Sequence, residues 1–130
     1  MSDPLVWLLV EHEGAVLLAH RKEDGAPFAG KWTLPGGVRW DTEATNTAAT
    51  RLASNDLGLE VMGLAFFDTI NVADDGEQYS VDVLRVGYEG RPRYRDSGPY
   101  SEVGWTPPSE LDELDIELPP ELKALLARLA

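Results

Sequence analysis

The sequence predicts an α/β fold in which a mixed β-sheet lies between helices. Two observations carry that reading. Short β-rich apolar runs precede a Gly- and Pro-free stretch with helical spacing, and strand-like runs followed by an amphipathic C-terminal stretch then come in the same order. The 130 residues suit a single domain over 1–130, with no internal repeat and no linker long enough to divide it.

The elements follow in order. "LVWLLVEHEGAVLLAHR" reads as a hairpin, with apolar runs Leu5–Val10 and Ala15–Ala19 around a polar turn at Gly14. "RKEDGAPFAGK" is a loop of Gly, Pro and charge, and "KWTLPGG" is a short extended piece ending in Pro35-Gly36-Gly37. A helix comes next, because Asp41 or Thr42 can cap free backbone N–H groups and Gly58 stands where a left-handed residue ends a helix. Ala44, Ala48, Ala49, Leu52, Ala53 and Leu57 give that helix small apolar positions suited to lying on a sheet. "LEVMGLAFFDTINV" and "YSVDVLRVGYE" read as strands joined by a turn at "ADDGEQ". "GRPRYRDSGPYSE" is a loop with three arginines, and "VGWTPPSEL" is a last short strand running into a helix start. In "LPPELKALLARLA", Leu122, Leu125, Leu126 and Leu129 keep the i, i+3, i+4, i+7 spacing, with Pro120 near the first position.

Composition narrows the function. Net charge is −12, so most of the surface repels a phosphate backbone and nucleic-acid binding is disfavoured. A small anionic ligand is compatible with that charge where a local basic pocket or a metal offsets the field. The absence of cysteine excludes disulfides, thiolate zinc sites and cysteine nucleophiles. His12 and His20 flank the predicted turn and form no ligand cluster. The apolar run near the N-terminus is too short for a membrane span and lacks a basic start, so the expected residence is cytoplasmic and no membrane partner is expected.

Spacing points to chemistry. Glu43 follows Gly37 after five residues, Arg51 follows Glu43 after seven, and Gly58-Leu59 closes the run. This resembles the Nudix box, G-x5-E-x7-R-E-U-x-E-E-x-G-U, where U is apolar. "FAGKWTLPGG" and "EVGWTPPSEL" resemble the segments that flank such a box, and the resemblance covers nearly the whole chain. It implies an α/β/α sandwich and metal-dependent hydrolysis of the pyrophosphate in nucleoside diphosphate-linked compounds. Magnesium or manganese would be the cofactor, since hard cations take carboxylate oxygens and i, i+3, i+4 spacing gathers three of them on one helix face.

Carried over residue by residue, the resemblance implies that Gly37 approaches the metal, that Glu43 and Arg51 form a structural pair, and that Gly58 and Leu59 end the box. The three glutamate positions hold Leu52, Asn55 and Asp56, and the usual glycine before the first glutamate is Thr42. Asp56 with Gly37 remains as a metal candidate, and Asp56 with Asn55 as the catalytic candidates. Asn55 offers a neutral carbonyl, and the Asp56 carboxylate withdraws by about 1.5 Å relative to glutamate. Leu52 offers no lone pair. The expectation is weak or absent hydrolysis, with a non-catalytic nucleotide- or protein-binding Nudix-fold domain as the alternative.

Replacement acids could come from Asp68, Asp74, Asp75, Glu77, Asp82 or Glu89 on the later strands and turn. Arg21 and Lys31 are candidate substrate-binding cations. Arg91, Arg93 and Arg95, spaced by two, would share one side of an extended segment. Trp32 and Trp105 read as packing residues, whereas Trp40 stands in the box loop, where a polar residue is common. The expected partner is a small phosphorylated or nucleotide ligand; homodimers are common in the family, and nothing in the sequence demonstrates one.

Overall fold

The computed structural model of the chain describes residues 3–24, 27–114 and 116–129. In chain order the elements are β1 (Leu5–Leu9), β2 (Glu11–His12), β3 (Ala15–Arg21), β4 (Trp32–Thr33), β5 (Gly36–Val38), α1 (Thr45–Leu57), β6 (Glu60–Asp74), β7 (Glu77–Glu89), β8 (Tyr100–Thr106), a 3-10 turn (Pro108–Glu113) and α2 (Pro120–Ala127). One sheet has the order β5-β1-β7-β6 and is mixed, because β1 runs parallel to β7 and antiparallel to β5. In the second, β3 pairs antiparallel with β2, β4 and β8.

The runs expected to form one hairpin separate into two sheets. Only the tip is a hairpin, with Glu11 opposite Val16 and His12 opposite Ala15. Glu13 and Gly14 turn the chain there, with φ of 50° and 80°. Beyond the tip, β1 takes β5 and β7 as partners. Both runs are apolar throughout, so the sequence pattern does not distinguish mutual pairing from pairing elsewhere.

The continuous apolar character of β1 has a direct cause: both of its faces are covered. Leu5, Trp7 and Leu9 join Leu122, Leu125 and Leu126 of α2 in one core. Val6, Leu8 and Val10 join Ala48, Ala49, Leu52, Ala53 and Leu57 of α1 in the other. The strand alternation thus places one helix layer on each side. Burying each of these leucines contributes about 1.5–3 kcal/mol against leaving it in water.

Helix α1 begins later than Asp41 or Thr42 would have it. Its N-cap is Ala44, which makes no side-chain cap bond. The residues before it are held in a turn instead: the Trp40 N–H donates to the Glu43 carboxylate (2.9 Å), and the Arg39 guanidinium donates to the Glu43 carbonyl (2.9 Å). The C-terminus ends as expected. Gly58 is left-handed (φ 67°), and the N–H groups of Gly58 and Leu59 donate to Ser54 and Ala53 carbonyls.

Stability should depend on salt. A net charge of −12 repels itself in the compact state, so the thermal midpoint is expected to rise by several degrees between about 0.02 M and 1 M KCl as screening shortens the Debye length. A midpoint that falls with added KCl would contradict this.

Candidate functional site

The site is built where the box loop, α1 and the ends of β3 and β8 meet. Glu43 and Arg51 form an ion pair at 2.7 Å, and a second Arg51 nitrogen donates to the Val38 carbonyl at 2.9 Å. The Arg51 hydrogen bond holds the Glu43 carboxyl below its ordinary range, and the same bond raises Arg51. Trp40, half exposed, lies over the Arg51 guanidinium at 3.8 Å from its ring centroid, a cation–π contact that shields the pair from one side. The loop is thereby tied to the helix.

Gly37 lies against a hydrocarbon. A Cβ built on it would meet Leu52 Cδ2 at 3.1 Å, and Leu52 itself is only 5 % exposed within the α1 core. One turn further along the helix, Asp56 is half-buried. Burial raises its carboxyl above the ordinary range, opposed by the charges of Arg21, Arg51 and Arg95. Asn55 is exposed on the adjoining face.

Arg21, buried at the end of β3, donates to the Gly36 carbonyl at 3.1 Å and lies 5.6 Å from the Tyr100 ring centroid. The buried Tyr100 hydroxyl accepts the Gly36 N–H at 2.7 Å and donates to the Gly36 carbonyl at 3.2 Å. Burial pushes that phenol up to about 12, so it stays neutral and keeps both bonds.

The structure brings Gly37, Leu52 and Asp56 into one region with Arg21, Arg51 and Arg95. It sets Lys31 apart. The Lys31 ammonium bonds the Asp74 carboxylate at 2.6 Å, which raises the lysine. Burial alone would raise Asp74, but the Lys31 and Phe28 hydrogen bonds outweigh it and lower the acid. The other candidate acids are engaged elsewhere or stand on the later strands and their turn. Asp68 pairs with Arg128, and Asp82 accepts from Thr45 and Thr69. Asp75 and Glu77 flank the exposed β6–β7 turn, and Glu89 is exposed at the end of β7. His20 is engaged with Ser101 and the Gly30 carbonyl.

This donor set does not fit a divalent cation. Asp56 is a single half-buried carboxylate that feels the charges of Arg21, Arg51 and Arg95, the first ligand position is a buried leucine, and among the described residues no three or more His, Asp or Glu side chains gather where they could hold a metal.

The sequence profile of the NUDIX domain matches residues 3–129. The chain belongs to the Nudix family. A Mycobacterium tuberculosis protein named "Putative 8-oxo-dGTP diphosphatase 2" is 33% identical over 107 residues, which are 78% of this chain and 72% of that one. The Haloferax volcanii "Low-salt glycan biosynthesis protein Agl8" is 39% identical over 87 residues, 61% of this chain, and the match spans only 54% of that relative's length. Among solved structures, a MutT NUDIX hydrolase from Burkholderia pseudomallei has a TM-score of 0.82 at 24% identity, covering 98% of both chains. A MutT protein from Methanosarcina mazei Go1 has a TM-score of 0.83 at 22% identity, covering 99% of this chain and 95% of that one. These likenesses establish the Nudix fold for the layers described above.

Two features of this Nudix site lay beyond sequence reasoning. Tyr100 belongs to no motif, and Arg95 is too remote from the box in sequence for anything local to link its charge to Asp56. Tyr100 left one signal, a large aromatic residue at the start of a strand after a Gly-Pro pair.

Asp56 offers a pH test with a definite sign. Its folded carboxyl titrates above its unfolded value of about 3.9, so ionisation costs stability at neutral pH, and the cost disappears as pH falls through the raised value. Asp56→Asn is therefore expected to melt at or above the parent at pH 7, with the gap closing by about pH 4. A variant that is less stable at pH 7, and recovers on acidification, would mean that the arginines outweigh burial.

Proposed function

We propose that this Nudix protein binds a phosphorylated, nucleotide-like ligand at the α1 face that carries metal in the family, with pyrophosphate hydrolysis weak or absent. The observation that carries the reading is the loss of ligand oxygens there: Leu52 fills the first ligand position with buried hydrocarbon, and Asp56 is half-buried within the influence of Arg21 and Arg95, while Arg51 is already paired with Glu43. Such a site favours an anion over a cation. The ion pair of Glu43 with Arg51 still holds the box loop against the helix, so the cleft keeps its shape without its ligand set.

One relative's name points to an oxidised purine nucleotide and the other's to glycan biosynthesis, so the ligands to try are 8-oxo-dGTP and nucleotide sugars. The test is a panel of these with nucleoside triphosphates, ADP-ribose and dinucleoside polyphosphates, run for hydrolysis with magnesium and with manganese, and for binding by calorimetry. Binding without turnover is the expected result. Metal-dependent turnover that Asp56→Ala abolishes would replace this reading with a rebuilt hydrolytic site. Turnover that survives Asp56→Ala would move the active site elsewhere.

A further inference from the structure

Most cations in this acidic chain have a partner inside the protein. Arg51 pairs with Glu43, Arg85 with Glu11, Arg128 with Asp68, Lys31 with Asp74 and Lys123 with Asp112. Arg21 and Arg39 donate to backbone carbonyls. With 23 acids for 11 bases, a guanidinium has ample choice of partner. Yet Arg93 and Arg95, on the loop between β7 and β8, make no side-chain hydrogen bond or ion pair among the described residues; Arg95 feels Asp56 at longer range.

Their loop is fixed in place. The Arg93 N–H donates to the Leu57 carbonyl at 2.8 Å, which pins the loop to the end of α1. The Gly98 N–H closes a turn onto the Arg95 carbonyl at 2.9 Å, and the Lys22 N–H holds the Pro99 carbonyl at 3.1 Å. Between loop and helix lies a cavity of about 410 Å³ lined by Ser54, Asn55, Gly58, Arg93, Tyr94 and Arg95. Its wall carries two guanidiniums, two hydroxyls and an amide, and no carboxylate. Asn55 matters here. At a position where the box has a glutamate, it is a neutral amide and removes a negative charge from the wall. Arg91, on the same loop, lines a different cavity with His12, Tyr88 and Trp105, so the arginines spaced by two do not all share one side.

We infer that this cavity is a metal-independent oxyanion site that holds a phosphate or diphosphate group, with Arg93 and Arg95 supplying the positive charge. Guanidinium donors match phosphate oxygens in geometry and stay charged at every physiological pH. The inference rests on the proposal that this face takes a phosphorylated ligand, and it names the residues that grip it.

Calorimetry with inorganic pyrophosphate and inorganic phosphate, in EDTA and about 0.05 M salt, tests it. Arg93→Ala and Arg95→Ala are each expected to weaken binding about tenfold, and the double variant about 100-fold, as befits charge-assisted bonds. Arg→Lys at each position should recover part of the loss, and Arg91→Ala should bind within about twofold of the parent. Circular dichroism of each variant checks the fold. Metal-free binding that ignores both arginines would overturn the inference and leave the proposed function standing. Binding that appears only when magnesium is added would overturn both. No binding of either probe by the folded parent would overturn the inference.

Discussion

A chain carrying L52E, N55E and D56E together is expected to gain metal-dependent pyrophosphate hydrolysis at least about 100-fold above the parent, equivalent to roughly 2.7 kcal/mol of barrier. The three positions are spaced i, i+3, i+4, so the new carboxylates share one side of α1, where position 52 lies against Gly37. The gain has a structural cost. Leu52 lies in the α1 core, and a glutamate there without a cation buries a charge, so L52E alone should lose about 3 kcal/mol in urea unfolding. Magnesium should restore part of that loss in the triple variant, because a cation bound only to the folded state stabilises it by mass action. A folded triple variant with no turnover, and no thermal response to magnesium, would show that these three replacements are not what limits the parent.

Gly36→Ala is expected to destroy the fold. A Cβ on Gly36 would lie 2.0 Å from the Val6 carbonyl oxygen and 2.9 Å from the Trp7 Cα. Both are backbone atoms of β1, the strand covered on both faces, so neither can move without displacing two cores. The loss should reach about 4 kcal/mol or more, a large share of the stability of any domain of this size. Gly14→Ala is the contrast. Nothing lies within 4 Å of its Cβ, and only the left-handed φ of 80° opposes it, at about 1 kcal/mol. Urea midpoints distinguish the two; a Gly36→Ala protein as stable as Gly14→Ala would mean that β1 and β5 can separate at little cost.

Much of the architecture was legible because the hydrophobic pattern records which faces are covered. The spacing of Leu122, Leu125 and Leu126 marks the buried stripe of α2, and the unbroken run in β1 reports two covered faces. Strand partners are less legible. Nothing in Leu5–Val10 or Ala15–Ala19 says which sheet each joins, because pairing is made by backbone groups common to every residue. Asp41 and Thr42 have capping chemistry, yet the helix starts later, because Glu43 is held in the preceding turn by the Trp40 N–H, Arg39 and Arg51 together. The candidate site divides in the same way. Motif spacing reveals the Glu43 and Arg51 frame and the missing glutamates. The approach of Arg21 and Arg95 to Asp56 depends on where β3 ends and how the loop after β7 is pinned, and neither leaves a local mark.

The Tyr100 hydroxyl reaches from β8 in one sheet to Gly36 of β5 in the other, and fills both the donor and the acceptor of that residue. It acts as a rivet through the seam. The sheets share no strand, yet they cannot part without stranding a buried amide, a carbonyl and a phenol at once. Partial opening along that seam is therefore steeply penalised, and the two halves of the molecule should be lost together rather than peeling apart.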